Sequence, residues 1–241
     1  MSTPTRQAHP KAPDCRNCPV RHRSLMADLQ PEKLDCLDQE KSCNVFRKGD
    51  VIFHEANRPM GLFSIFSGKV KLYKTSELGK EQIIRLAKPG DSIGYRSLIS
   101  GDPYMATAEA LEDSRICFVP KSVFKDLLDE GDGVFQRLMQ VMSDDLKVAE
   151  DKIASMATKT VRERTAEALL MLKSYYGLRA DGKTLDVSLS REDLSNLVGT
   201  ATESLIRMLA EFKADKLIDL QERQILILDA HKLALVAKVQ D

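Results

Sequence analysis

The chain has 241 residues, 43% hydrophobic and 30% charged, enough for two modest domains with cores and too apolar for a disordered chain. Lys plus Arg and Asp plus Glu both number 36, so the net charge is +0 and any basic surface for nucleic acid must be local. The polar N-terminal segment lacks a signal peptide's apolar core and no run is apolar enough to span a bilayer. Five cysteines, an odd number, fit a reducing compartment better than a disulfide framework, so a cytoplasmic chain without a membrane partner is expected.

The first fourteen residues read as a loose, Pro-containing arm. Then comes a stretch from Cys15 to Ser24 containing Cys18 and His22, with Cys36 and Cys43 downstream. Two thiols at CxxC spacing can bind one metal or cluster, form a reversible disulfide, or carry no ligand. A thioredoxin-type site would sit between a strand and a helix. Here a basic segment and glycine-punctuated strands follow instead.

From Asn44 to Pro120 the texture is β. Short segments such as Val51–Phe53, Leu62–Phe66, Lys69–Tyr73, Gln82–Leu86 and Ile116–Val119 are separated by glycines, and Lys69–Tyr73 alternates apolar with polar. Many short strands with Gly turns predict an antiparallel roll or barrel, which either holds a small ligand or is filled by its own side chains.

A helical section begins near Lys121, where Phe124, Leu127 and Leu128 give a short amphipathic helix that breaks at residues 130–133. Beyond it Phe135, Leu138, Met142, Leu146, Ala149, Ile153 and Met156 recur at steps of three and four, close to a coiled-coil seam. A charged face lies opposite (Asp144, Asp145, Lys147, Glu150, Asp151, Lys152), so a self-pairing helix is expected. Helix is expected to continue through Thr158–Tyr176, and Thr184–Leu189 alternates like a strand.

The segment from Ser190 to Phe212 reads as two short helices with a tight turn. Ser190 caps the first, with Leu194, Leu197 and Val198 as its apolar stripe, and Gly199 closes it. Thr200 is expected to cap the second, with Glu203 at the capping-box position. Leu205, Met208, Leu209 and Phe212 face inward, while Thr202, Glu203, Ser204 and Arg207 share exposed ground. That is the pattern of a helix-turn-helix presenting one helix to DNA. Leu217–Leu220 and Gln224–Leu228 then form a hairpin wing, and Ala230–Lys238 a last helix. The fold class is therefore α+β: an N-terminal antiparallel β-roll, a long dimerisation helix and a C-terminal winged helix-turn-helix.

That order of parts, with Lys48–Asp50, Phe66–Gly68, Pro89–Asp91, Leu111–Ser114 and Leu189–Leu209 as landmarks, resembles the CRP/FNR family of bacterial transcription regulators over nearly the whole chain. The resemblance implies a cysteine-containing arm (1–30), a cyclic-nucleotide-binding-like β-roll sensor (31–132), a dimerisation helix (133–157) and a DNA-binding domain (158–241). It further implies a homodimer on a palindromic double-stranded operator, with RNA polymerase as partner; no nucleophile–base constellation is apparent in the sequence, so no enzymatic activity is expected.

The family's recognition helix, here 201–212, carries a Glu and, four residues on, an Arg; Glu203 and Arg207 match them. A carboxylate accepts from a cytosine amino group and a guanidinium forks onto guanine. Thr202 stands where cyclic-AMP-responsive members have Arg, and Ile206 where FNR-like members have Ser, so the operator should differ at one or more positions. Arg191, Ser204, Lys213 and Lys216 are expected phosphate contacts.

Cyclic-AMP-binding members carry a Gly-Glu pair and an Arg-Ser/Thr-Ala run. This chain has Gly94-Tyr95 and Tyr104-Met105-Ala106, which argues against cyclic AMP and leaves Arg96 and Arg115 for another anion. The FNR branch holds a [4Fe–4S] cluster on three N-terminal cysteines and one in the roll. Cys15, Cys18 and Cys117 match three of these. The remaining position falls near Ser24, so Cys36 or Cys43 would have to supply the fourth ligand, with Asp28 and His22 as weaker donors. Two other readings fit: a metal- or ligand-binding sensor module acting through protein contacts, and a thiol-redox switch protein without a cluster.

Overall fold

The computed structural model describes residues 14–129 and 133–238, so the far N-terminal arm and most of the expected break at 130–133 lie outside the described residues. The chain forms two compact units. Of the described residues, one takes those up to Leu72 and those within 86–142; the other takes Tyr73–Arg85 and those from Ser143 onward.

In chain order the first part runs through a 3-10 turn (Arg21–Arg23), α1 (Pro31–Glu40), β1 (Ser42–Phe46), β2 (Val51–Phe53), β3 (Gly61–Ser67), β4 (Val70–Thr75) and β5 (Glu81–Ala87). Then follow β6 (Ser92–Ile93), α2 (Tyr95–Ser100), β7 (Thr107–Ala110), β8 (Ser114–Pro120), α3 (Lys121–Asp129) and the 25-residue α4 (Val134–Thr158). Two four-stranded sheets result, ordered β1–β8–β3–β6 and β2–β7–β4–β5. The β1–β8, β3–β8, β3–β6 and β2–β7 pairs are antiparallel. Inward residues Phe53, Ile65, Val70, Leu72, Ala108 and Ile116 fill the space between the strands. Gly61 is required by closeness: a Cβ there would lie 2.2 Å from the Val119 carbonyl oxygen.

Helix α1 buries Leu34 and Leu37 in a second cluster with Leu25, Leu62, Phe124 and Leu138. Pro31 occupies its first turn, where a missing N–H costs nothing, although no helix is expected there from the sequence.

In the second unit α4 stops at Thr158, and α5 (Val161–Tyr176) begins afresh. This corrects the expectation of continuous helix. Thr160 and Glu163 form a reciprocal capping box, which satisfies the backbone donors that continuation would have used. Next come α6 (Arg191–Val198), α7 (Thr202–Ala214), β9 (Ile218–Gln221), β10 (Gln224–Ile227) and α8 (Ala230–Ala237). The wing closes on the Gln221–Gln224 pair, and Glu222 takes a left-handed φ of 54°. Thr184–Leu189 is not a strand; it makes only isolated bridges, Leu178 to Leu185 and Thr184 to Leu226. Among the described residues no helix is long and apolar enough to cross a membrane.

Candidate functional site

The α6–turn–α7 segment is built by local chemistry. The Ser190 hydroxyl accepts from the Asp193 backbone N–H at 2.9 Å, and Gly199 closes α6 in the left-handed region (φ 74°, ψ 51°), where a side chain would be strained. Thr200 does not cap α7. Its N–H folds back 3.1 Å to the Ser195 carbonyl, so its backbone completes the end of α6, and Ala201 precedes α7 without a side-chain cap. Leu194, Leu205, Leu209 and Phe212 are each no more than 1% exposed and lock the two helices together.

This packing turns one face of α7 outward. Glu203, Ile206, Arg207 and Ala210 are exposed, and Thr202 and Ser204 are half-buried. The Thr202 hydroxyl sits 2.9 Å from that of Ser195, which bridges the two helices. The expected phosphate contacts are less alike than their charges suggest. Lys216 is exposed, whereas Lys213 pairs with Asp219 at 2.8 Å. Arg191 donates 3.2 Å to the Glu222 carbonyl at the wing turn, while its other terminal nitrogen is buried without a hydrogen-bond partner. Burial lowers the Arg191 pKa.

Sequence reasoning missed how the end of α6 is held. A helix C-terminus leaves carbonyls unsatisfied and carries negative partial charge. Here Gln82 donates to the Asn196 carbonyl, Lys152 to Leu197, and Arg164 to Val198 at 3.3 Å and to Gly199 at 3.2 Å. Lys152, expected on the charged face of the long helix, is instead half-buried, and burial lowers its pKa. Periodicity could not reveal this, because the partner is 45 residues away.

The cysteines lie in the first unit. Cys15, Cys18 and Cys117 line one small cavity with Ser24, Lys41 and Phe66. Lys41 Nζ is 2.9 Å from Cys15 Sγ and also pairs with Asp38. Burial pushes the Cys15 thiol up to about 11, although Lys41 pulls the other way.

Cys117 is not a free ligand here. It faces Cys43 across the β1–β8 register and is joined to it by a disulfide, so the roll thiol and one of the two candidates for the fourth ligand bond each other. The physical reason is the antiparallel pairing, which brings the two Cα atoms to 4.0 Å. Cys36 is exposed on α1 and is not in the cavity lining. Ser24, near the family's third cysteine, is used in the turn: its hydroxyl donates 2.8 Å to the Arg21 carbonyl. Asp28 is forked by Arg137, and His22 accepts from Arg23 at 3.2 Å. Among the described residues no three His, Cys, Asp or Glu side chains gather as a metal would need. The donors in this arrangement do not fit a four-ligand cluster.

Inside the roll, Tyr104 stacks on Phe53 with ring centroids 4.0 Å apart, and a Cβ on Gly94 would meet the Tyr104 ring at 3.2 Å. Tyr95 is 1% exposed. The region where cyclic-AMP binders place their acid and cation is thus packed with aromatic side chains. Arg115 lies over the Phe66 ring at 5.7 Å.

A two-sheet roll followed by a winged helix-turn-helix with a polar outward helix defines a DNA-binding regulator. Residues 43–130 match the cyclic nucleotide-binding domain family and residues 163–236 the Crp-like helix-turn-helix domain. The chain is 30% identical over 226 residues to electron transport regulator A of Shewanella oneidensis, covering 92% of this chain and 90% of that protein. It is 28% identical over 228 residues to the fumarate and nitrate reduction regulatory protein of Vibrio cholerae, covering 93% and 90%. The structure superposes on TTHA1359, a CRP/FNR-family transcriptional regulator of Thermus thermophilus, with a TM-score of 0.68 at 26% identity, over 83% of this chain and all of that one. FixK2 of Bradyrhizobium japonicum shares the fold, with a TM-score of 0.75 at 24% identity over 83% and 99% of the two chains. The chain belongs to the CRP/FNR family of transcription regulators.

Proposed function

We propose that two copies of this chain pair along α4 and bind a palindromic double-stranded operator, with α7 of each copy in a major groove and a thiol-based redox signal setting the active form. The observation that carries the DNA-reading part is the outward face of α7, where Glu203 and Arg207 are exposed one helical turn apart. Glu203 accepts from a cytosine amino group and Arg207 forks onto guanine. Ser204 and Lys216 contact phosphate, Lys213 does so on leaving Asp219, and Arg191 positions the wing.

Pairing along α4 is supported by Phe135, Leu146, Ile153 and Met156, apolar side chains between 44% and 69% exposed on a single chain. The redox part rests on Cys15 and Cys18 sharing a cavity with the disulfide-bonded Cys117, and on relatives named for electron transport and for fumarate and nitrate reduction. Tyr104 packed beside Gly94 argues against cyclic AMP as the signal. RNA polymerase is the expected partner at the promoter.

The test is Arg207→Ala on a palindromic site selected from a random pool. Fluorescence anisotropy should show roughly 1–3 kcal/mol of lost discrimination at one base pair of each half-site. Retention of full affinity and preference would remove Arg207 from the reading role. A Lys216→Ala variant should weaken binding to all sequences alike and flatten its salt dependence.

A further inference from the structure

We infer that Ile206 reads the C5-methyl group of a thymine, at the base pair next to those faced by Glu203 and Arg207. This deepens the proposed function and rests on α7 lying in the major groove.

Ile206 is 50% exposed, in the middle of the outward face of α7. Folding gives no reason for it. Its inward neighbours Leu205 and Leu209 are buried to 0% and 1% without it, and a β-branched residue on an exposed helix face is a few tenths of a kcal/mol worse than Ala. A lone exposed isoleucine is ordinary on a protein surface, but this one continues a line. Thr202, Ile206 and Ala210 stand at intervals of four, one above another on the helix, and the Thr202 hydroxyl is already engaged by Ser195. The result is an apolar ridge beside the polar pair Glu203 and Arg207.

The chemistry of the groove then decides the ligand. Ile206 can neither donate nor accept a hydrogen bond, so it gains nothing from the polar edges of guanine, adenine or cytosine. Any polar edge it covered would lose water without replacement. The apolar feature that a base pair presents in the major groove is the thymine methyl.

The experiment selects sites from a pool of randomised half-sites with the full-length protein and with Ile206→Ser, then titrates each against the selected duplex and against one with that thymine replaced by deoxyuridine. The replacement removes the methyl and leaves the pairing intact. Thymine should be fixed beside the Glu203–Arg207 pairs for the parent protein and relaxed for Ile206→Ser. Deoxyuridine should cost the parent about four-fold per half-site, the effect of one buried methyl-sized group, and should cost Ile206→Ser nothing. An enriched palindrome without thymine at that position overturns this inference alone. So does an equal deoxyuridine loss in both proteins, which would place the effect in the DNA. A pool that yields no enriched sequence overturns the DNA-reading role, and this inference with it.

Discussion

Burial sets the chemistry of several side chains here. Cys15 is the clearest. Burial raises its thiol to about 11 from an ordinary 9.0, against the pull of Lys41 at 2.9 Å. For an acid raised in the folded state, the associated stability is present below pH 9 and is lost as pH rises through 11. In the native protein, therefore, alkylation of Cys15 by iodoacetamide should lag that of exposed Cys36 near pH 8 and climb steeply as pH approaches 11. Lys41→Met, which removes the stabilising cation, should slow Cys15 further; peptide mass spectrometry reads both rates. Equal alkylation of the two cysteines at pH 8 would show that the Cys15 thiol is not held back in this way.

Among the elements, α4 matters most because it is long and carries apolar side chains left open on one chain. Leu146 and Ile153 are 59% and 69% exposed, so replacing either by Glu costs the single chain little. On a paired helix the same change buries an unpartnered carboxylate. Leu146→Glu or Ile153→Glu should shift sedimentation from dimer to monomer and, with it, lower operator affinity at least ten-fold; an unchanged dimer would place the interface elsewhere.

The elements also show what the sequence makes readable. The apolar stripes of α6 and α7, Ser190 and Gly199 are local patterns, and they appear in the structure where spacing and capping place them, whereas Leu138 of the expected α4 seam is buried in the core of its own unit. The break at Lys159–Thr160 was equally local, written in Thr160 and Glu163, but the apolar period running across it concealed it. The hold of Lys152, Arg164 and Gln82 on the end of α6 was not legible. It joins residues 34 to 114 positions apart, and each looks like an ordinary surface side chain in its own segment. The pairing of Cys43 with Cys117 needed the β1–β8 register, which no single segment specifies. Of the recognition face, identity was legible and engagement was not. Lys213 and Arg191 read as free cations, yet Asp219 and the Glu222 carbonyl already hold them.

At the scale of the whole chain, the Cys43–Cys117 bond is a property of connectivity as well as of redox state. It joins positions 74 apart in sequence and closes a segment that includes β2 to β7 and the exposed turn around Leu78. A backbone cut inside that segment, for instance by trypsin after exposed Lys80, leaves two fragments that remain one covalent molecule. Limited digestion should therefore produce a band of undiminished mass on a non-reducing gel that splits in two when dithiothreitol is added. A Cys43→Ser variant should split without it. The same bond hides a nick in the roll from any non-reducing gel, so gel-based integrity of this regulator has to be judged under reducing conditions.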